Sequence, residues 1–155
     1  MKILKKIGHV ILFILLFIWQ LPQNIVALVM LPFLGKLELI SYKKFCFAFK
    51  GSRMLGGISL GNFAYLSPTS AKKIATVMHE QEGHTYDSKL FGPFYLFIIG
   101  IPSIMWAWLG SKDKCYYDFF TERRANKHAG LEVLHTANGR CFLSVKNVLG
   151  YGLNK

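Results

Sequence analysis

The chain has 155 residues, with 19 lysines and arginines against 8 aspartates and glutamates, a formal charge of +11 at pH 7. It is 52% apolar and 15% aromatic but only 17% charged, which excludes a disordered charged tail and suits a single domain. The apolar residues collect in two long uncharged runs, and the basic residues are mostly segregated from the aromatics. Both features favour a lipid bilayer as partner and exclude nucleic acid, whose binders interleave basic and aromatic side chains.

The first run, Ile7 to Leu34, follows the basic lead Met1–Lys6. As one helix it would be about 42 Å long, more than the roughly 30 Å hydrocarbon core of a bilayer. Gln20-Leu21-Pro22-Gln23-Asn24 interrupts it, and proline breaks a helix interior. Three readings fit: a tilted, kinked span, a hairpin of two half-length helices turning at Gln20–Asn24, or a signal peptide. The last lacks a small-x-small cleavage site. Residues 1–35 are thus read as a membrane anchor or helical hairpin.

Lys44-Phe45-Cys46-Phe47-Ala48-Phe49-Lys50 alternates with the period of a strand, its three phenylalanines reading as sheet packing. Gly56-Gly57 punctuates, and Ile58–Leu66 reads as a second strand with a bulge at Gly61. Ser67-Pro68 opens a helix expected to run to about Lys89. The second apolar run, Phe91 to Gly110, has enough residues to span a bilayer. With Pro93 near its start and Gly100-Ile101-Pro102 at its centre, it is either a kinked transmembrane helix or a re-entrant hairpin breaking at Gly100–Pro102. Trp106 and Trp108 suit an interfacial belt. A helix over Lys114–His128 stops at Gly130, and residues 131–155 read as a tail with a small hairpin. His9 falls at the membrane interface, His128 and His135 at a helix end and in the tail.

All three polar segments are basic. Two simple spans would place one of them against the positive-inside rule, whereas two hairpins keep all of them on the cytoplasmic face of the membrane. Cys46, Cys115 and Cys141 are widely spaced and odd in number, and are read as reduced thiols. The fold class that follows is α+β and mainly helical, with membrane-embedded or monotopic helices and a short β-hairpin packed on a pair of site-bearing helices. A central domain is expected over residues 36–130, including the apolar segment 91–110.

The chemistry concentrates in Met78-His79-Glu80-Gln81-Glu82-Gly83-His84. Two histidines and a glutamate on one helix suggest the zinc-peptidase motif HExxH, in which histidines one turn apart grip the metal and the glutamate activates water. Here the histidines are five residues apart, about 140° around a regular helix. Two repairs exist. A π-bulge over His79–His84 would restore both histidines as ligands with Glu80 as base. Alternatively, the helix stays regular, Glu80 becomes a ligand four residues before His84, and Gln81 stands uselessly at the base position. A catalytic zinc needs a third ligand, for which Glu122 is the candidate, and Asn126, one turn later, would hydrogen-bond a ligand. Arg123 and Arg124 read as a solvated or lipid-facing pair. Tyr116 and Tyr117 are interfacial anchors or oxyanion donors.

GGISLGNFAYLSP, then EGHTYDSKLFGPFYLFIIGIPS, then YYDFFTERRAN resembles small bacterial membrane proteins related to the HExxH metallopeptidases. Their order is a glycine-rich strand, a helix with HExGH, a leucine-, glycine- and proline-rich apolar run, then YYDF-x-TExxAD. The likeness covers roughly half the chain. It implies that His84 matches the second motif histidine, Glu122 the downstream acidic ligand, and Asn126 a position more often aspartate. Counted back without a gap, Glu80 falls where the family has histidine and Gln81 where it has glutamate.

The expected function is a membrane-bound zinc metallopeptidase of the bacterial inner membrane, hydrolysing a peptide or membrane-protein substrate near the membrane surface. The alternatives are a catalytically degenerate binding or accessory protein, or a basic module holding anionic lipid. If His84 and Glu122 share a metal, they lie on one side of the membrane. The Phe91–Gly110 run must then turn back or lie within the protein.

Overall fold

The uncharged N-terminal run folds as two helices, α1 (Lys2–Trp19) and α2 (Leu21–Met30), bent by 86°. Pro22 sits in the first turn of α2, where its missing N–H has no helical partner to lose. The bend is set by tertiary hydrogen bonds, because Gln20, Gln23 and Asn24 are fully buried. Gln23 Nε2 donates to Ser88 Oγ at 3.1 Å and to the Gly92 carbonyl at 2.9 Å. Asn24 Nδ2 donates to Asn62 Oδ1 at 2.9 Å, and Asn24 Oδ1 accepts from the Asn62 backbone N–H at 2.8 Å. The run is therefore broken at the Gln20–Asn24 interruption into two helices at nearly a right angle. Buried amides are usually paired, and the side chains of Gln23 and Asn24 find partners on other elements, while Gln20 bonds back to the Leu16 carbonyl of α1. The computed structural model describes residues 2–110, 114–138 and 140–146, and its architecture is α+β and mainly helical.

The expected hairpin is a four-stranded mixed sheet: β1 (Leu37–Lys43), β2 (Cys46–Gly51), β3 (Gly57–Leu60) and β4 (Phe63–Leu66), in the order β1-β2-β4-β3. β1 and β2 are antiparallel, β2 and β4 parallel, and β3 and β4 antiparallel. The segment read as one bulged strand, 58–66, is thus two strands. They turn at Gly61-Asn62 with Gly61 at φ +64°, where a side chain would also strike Asn24. Ala27 of α2 meets Leu34, Leu60 and Tyr65 in one buried cluster on the sheet. Cys46, Ala48, Ala64 and Leu66 form a second.

After a single 3-10 turn (Ser70–Lys72), the next helical segment runs as α3 (Ile74–Met78), a π-helical turn (His79–His84) and α4 (Thr85–Phe91). The second apolar run is mostly one helix, Leu96–Gly110, with α5 (Ile101–Met105) between wide turns at Leu96–Gly100 and Trp106–Gly110. It does not reverse at Gly100–Pro102. The π turn just before Pro102 alters the hydrogen-bond ladder where proline has no donor to give. Among the described residues no single helix is long and apolar enough to cross a membrane, although α1 and α2 together form a bent pair that meets those criteria.

Tyr116–Asp118 forms a 3-10 turn, and α6 (Phe120–Ala129) ends at Gly130 in the left-handed conformation, as its stop signal implied. β5 (Leu131–His135) and β6 (Cys141–Val145) pair antiparallel as the tail hairpin. That hairpin corrects the reading of three reduced thiols. Cys115 and Cys141 form a disulfide, and only Cys46 is free. Their separation of 26 residues matches no local motif, and they meet because the start of β6 lies beside the turn that follows Cys115.

Candidate metal centre

The centre is built where the π turn crosses α6. In an i→i+5 turn one extra residue is accommodated, so residues five apart stack as residues four apart do on an α-helix. The rings of His79 and His84 accordingly lie with centroids 4.7 Å apart. Gly83 permits the crossing: a Cβ there would stand 2.5 Å from the Ala125 carbonyl oxygen. Thr85 turns its hydroxyl back to the Gln81 carbonyl, a side-chain bond to the preceding turn that bends helices.

Glu122 enters from α6, fully buried. One of its oxygens, Oε2, lies 2.9 Å from His79 Nε2 and 3.3 Å from His84 Nε2. His79, His84 and Glu122 offer one ligand atom each, all within 4.8 Å of one another. On the far side of the His79 ring, Asn126 Oδ1 lies 2.7 Å from Nδ1, and Tyr117 packs edge-on at 5.5 Å between centroids.

The electrostatics fit a cation. Burial disfavours the charged forms of His84 and Glu122, yet each holds the other charged. The imidazole of His84 is raised to about 9, chiefly by the Glu122 carboxylate acting against burial. Glu122 is held well below the usual carboxylate range by His84 and His79, again against burial. Between each imidazole nitrogen and the carboxylate oxygen there must lie either an N–H hydrogen or a shared metal ion. The set of two nitrogens and one oxygen is that of a catalytic zinc site with an open position.

The other residues singled out in the sequence separate clearly. Glu80 is buried beside the centre, its Oε2 accepting from Ser59 Oγ at 2.7 Å. Its carboxylate fills the space that a side chain at Gly57 would take. Gln81 turns to the sheet, donating to the Cys46 carbonyl at 2.8 Å and accepting from Ser41 Oγ. Of the two repairs considered, the structure therefore adopts the π turn, with Glu80 outside the cluster of three. Glu82 pairs with Lys44 at 2.6 Å. Arg124 is not simply solvated: it binds the buried Asp87 at 2.7 Å, with His128 Nε2 at 3.6 Å.

Three contributors escape a motif search. Ser103, which donates to Glu122 Oε1, is the lone hydroxyl of the apolar stretch Leu96–Gly110; a polar group in such a stretch is the available signal. Thr121 also reaches Glu122 Oε1, at 3.1 Å. Ser59 carries no signal, because its role depends on where β3 lies. A cavity of about 630 Å³ opens beside the centre. Glu80, His84, Ser103 and Tyr116 line one part, and Met30, Leu60, Phe97 and Trp108 are among its apolar walls.

Compared with models of protein families, with curated proteins and with solved structures, the chain matches none.

Proposed function

We propose that the chain is a membrane-bound zinc hydrolase of metallopeptidase type, cleaving peptide bonds next to apolar residues at the membrane surface. The observation that carries this reading is the convergence of His79 Nε2 and His84 Nε2 on one oxygen of the buried Glu122. Zinc held by these three would supply Lewis acidity toward a water and a substrate carbonyl. Glu80 then accepts the proton of the attacking water and delivers it to the leaving amine, and Ser59 holds its carboxylate in place. The Tyr116 hydroxyl lines the cavity with a pKa raised by burial and by Glu122, so it stays protonated as a donor to the developing oxyanion. The apolar cavity walls receive a hydrophobic side chain of the substrate.

Membrane attachment is supported by exposed apolar side chains. Ile7, Ile11, Leu15 and Ile18 on α1 are all more than half exposed, as are Phe97 and Trp108 on the Leu96–Gly110 helix, at 70% and 78%. Faces of this kind are rare on soluble monomers, and suit helices lying in one leaflet.

The test is metal analysis and peptide hydrolysis by the detergent-purified chain. One zinc per chain, lost in His84→Ala and Glu122→Ala, with hydrolysis of peptides bearing apolar residues, supports the proposal. Zinc without turnover indicates the accessory-protein reading. Absence of zinc with salt-dependent binding to anionic vesicles indicates the lipid-holding module.

A further inference from the structure

A second cluster of ligand atoms, sharing no residue with the first, lies at the Cys115–Cys141 disulfide. Asp118 Oδ1 and His135 Nε2 are 3.8 Å apart. Cys115 Sγ joins them, with the three ligand atoms within 4.8 Å of one another. The fourth group is Cys141, bonded to Cys115 and paired with His135 across the β5–β6 ladder. Cys115 and Asp118 come from the 3-10 turn and the residue before it, His135 ends β5 and Cys141 opens β6, so the disulfide sets a second sulfur beside the three-ligand group. Sulfur and nitrogen donors at tetrahedral count are the set that zinc favours. Asp118 and His135 are about half exposed, at 54% and 53%, so ions and small thiols have access. Lys114 and Arg123 line the adjoining depression with Cys115 and Asp118, and their charge favours thiolates.

We propose that the disulfide and a metal are alternative occupants of this cluster: reduction converts the Cys115–Cys141 bond into a zinc site completed by His135 and Asp118. A dithiol reductant attacks the disulfide and is itself oxidised to a disulfide, its two hydrogens passing to Cys115 and Cys141. Binding of the divalent ion then releases those two protons to solvent. The oxidised chain cannot hold the ion, because neither sulfur is then a thiolate. The cluster shares no ligand with the His79, His84 and Glu122 centre, and the proposal does not rest on the hydrolase reading.

The test uses the full chain in detergent, oxidised or reduced with dithiothreitol and desalted, titrated with cobalt(II) chloride. Only thiolate ligands give the near-ultraviolet sulfur-to-cobalt charge-transfer band, so the first centre cannot mimic it. The reduced chain is expected to develop the band and the oxidised chain to lack it. Cys141→Ser, which keeps Cys46 and Cys115, should weaken the band and lower affinity at least about tenfold. His135→Ala and Asp118→Asn change exposed residues and leave the disulfide in place; once reduced, each should lose affinity by about tenfold or more, the scale on which even groups behind the ligands act. If reduction unfolds the chain, cobalt should restore its circular dichroism. Absence of the band or of that restoration overturns the proposal, as does a band indifferent to His135→Ala and Asp118→Asn.

Discussion

Asn126 Oδ1 sits 2.7 Å from Nδ1 of His79 and, as an acceptor, assigns the proton to that nitrogen. The lone pair of Nε2 then faces Glu122, where a cation is needed. A ligand oriented from behind in this way binds metal more tightly. Asn126→Ala should weaken zinc binding by about 10- to 100-fold with little change in thermal stability. Asn126→Asp should strengthen it, since a carboxylate makes the imidazole more basic. Competition with a chromophoric chelator measures both, and equal affinities across the three proteins would count against the assignment.

Glu80 touches Ser59 and none of the three ligands is replaced when it is changed. Glu80→Gln should keep one zinc per chain and lower kcat by about 10²- to 10⁴-fold, the usual contribution of a general base. Gly57→Ala should act in the same direction, because the added methyl group would displace the Glu80 carboxylate. Loss of zinc in Glu80→Gln would mean that the glutamate is a ligand.

The His84–Glu122 pair makes metal-free stability depend on pH. His84 is raised from 6.5 to about 9, so its contribution is full below about pH 6.5 and disappears as pH rises through about 9. Glu122 is lowered from 4.5, so its contribution is present above about pH 4.5 and is lost as pH falls below its depressed folded value. The metal must displace the His84 proton. The rise in Tm produced by zinc should therefore grow from about pH 6 to about pH 9. A zinc-induced shift that is flat across this range would show that no such proton is displaced.

Gly83 brings the π turn against the α6 backbone, with Ala125 O only 2.5 Å from where a Cβ would stand. The obstacle is backbone and cannot rotate away. Gly83→Ala should cost about 1–3 kcal/mol, as overpacking does, and should weaken metal binding by moving Glu122 relative to the histidines. Urea denaturation and metal titration of the same variant test both effects. Unchanged stability would indicate that the two helices separate freely.

Local signals in the chain identified the residue types of the centre. Histidine and glutamate side by side, an acid on a later helix, and asparagine one turn beyond it are patterns a helix imposes over a few residues. The stop at Gly130 and the tail hairpin followed from the same short-range rules. The five-residue histidine spacing left two geometries open, because a π turn has no compelling sequence signature. The decision came from packing: Gly83 against Ala125, and Gln81 drawn to Ser41 and Cys46 on the sheet.

Composition and periodicity by themselves determined that the chain is mainly helical with some sheet, strongly basic and divided between two apolar runs. The tertiary structure decided the right-angled elbow at Gln20, the two-strand reading of residues 58–66, the continuation of the helix through Pro102 and the pairing of Cys115 with Cys141. The elbow depends on Ser88, Gly92 and Asn62, and the disulfide joins residues 26 apart. Buried amides and thiols take their geometry from what they meet in space, and a pattern read along the chain carries only what neighbours in sequence impose.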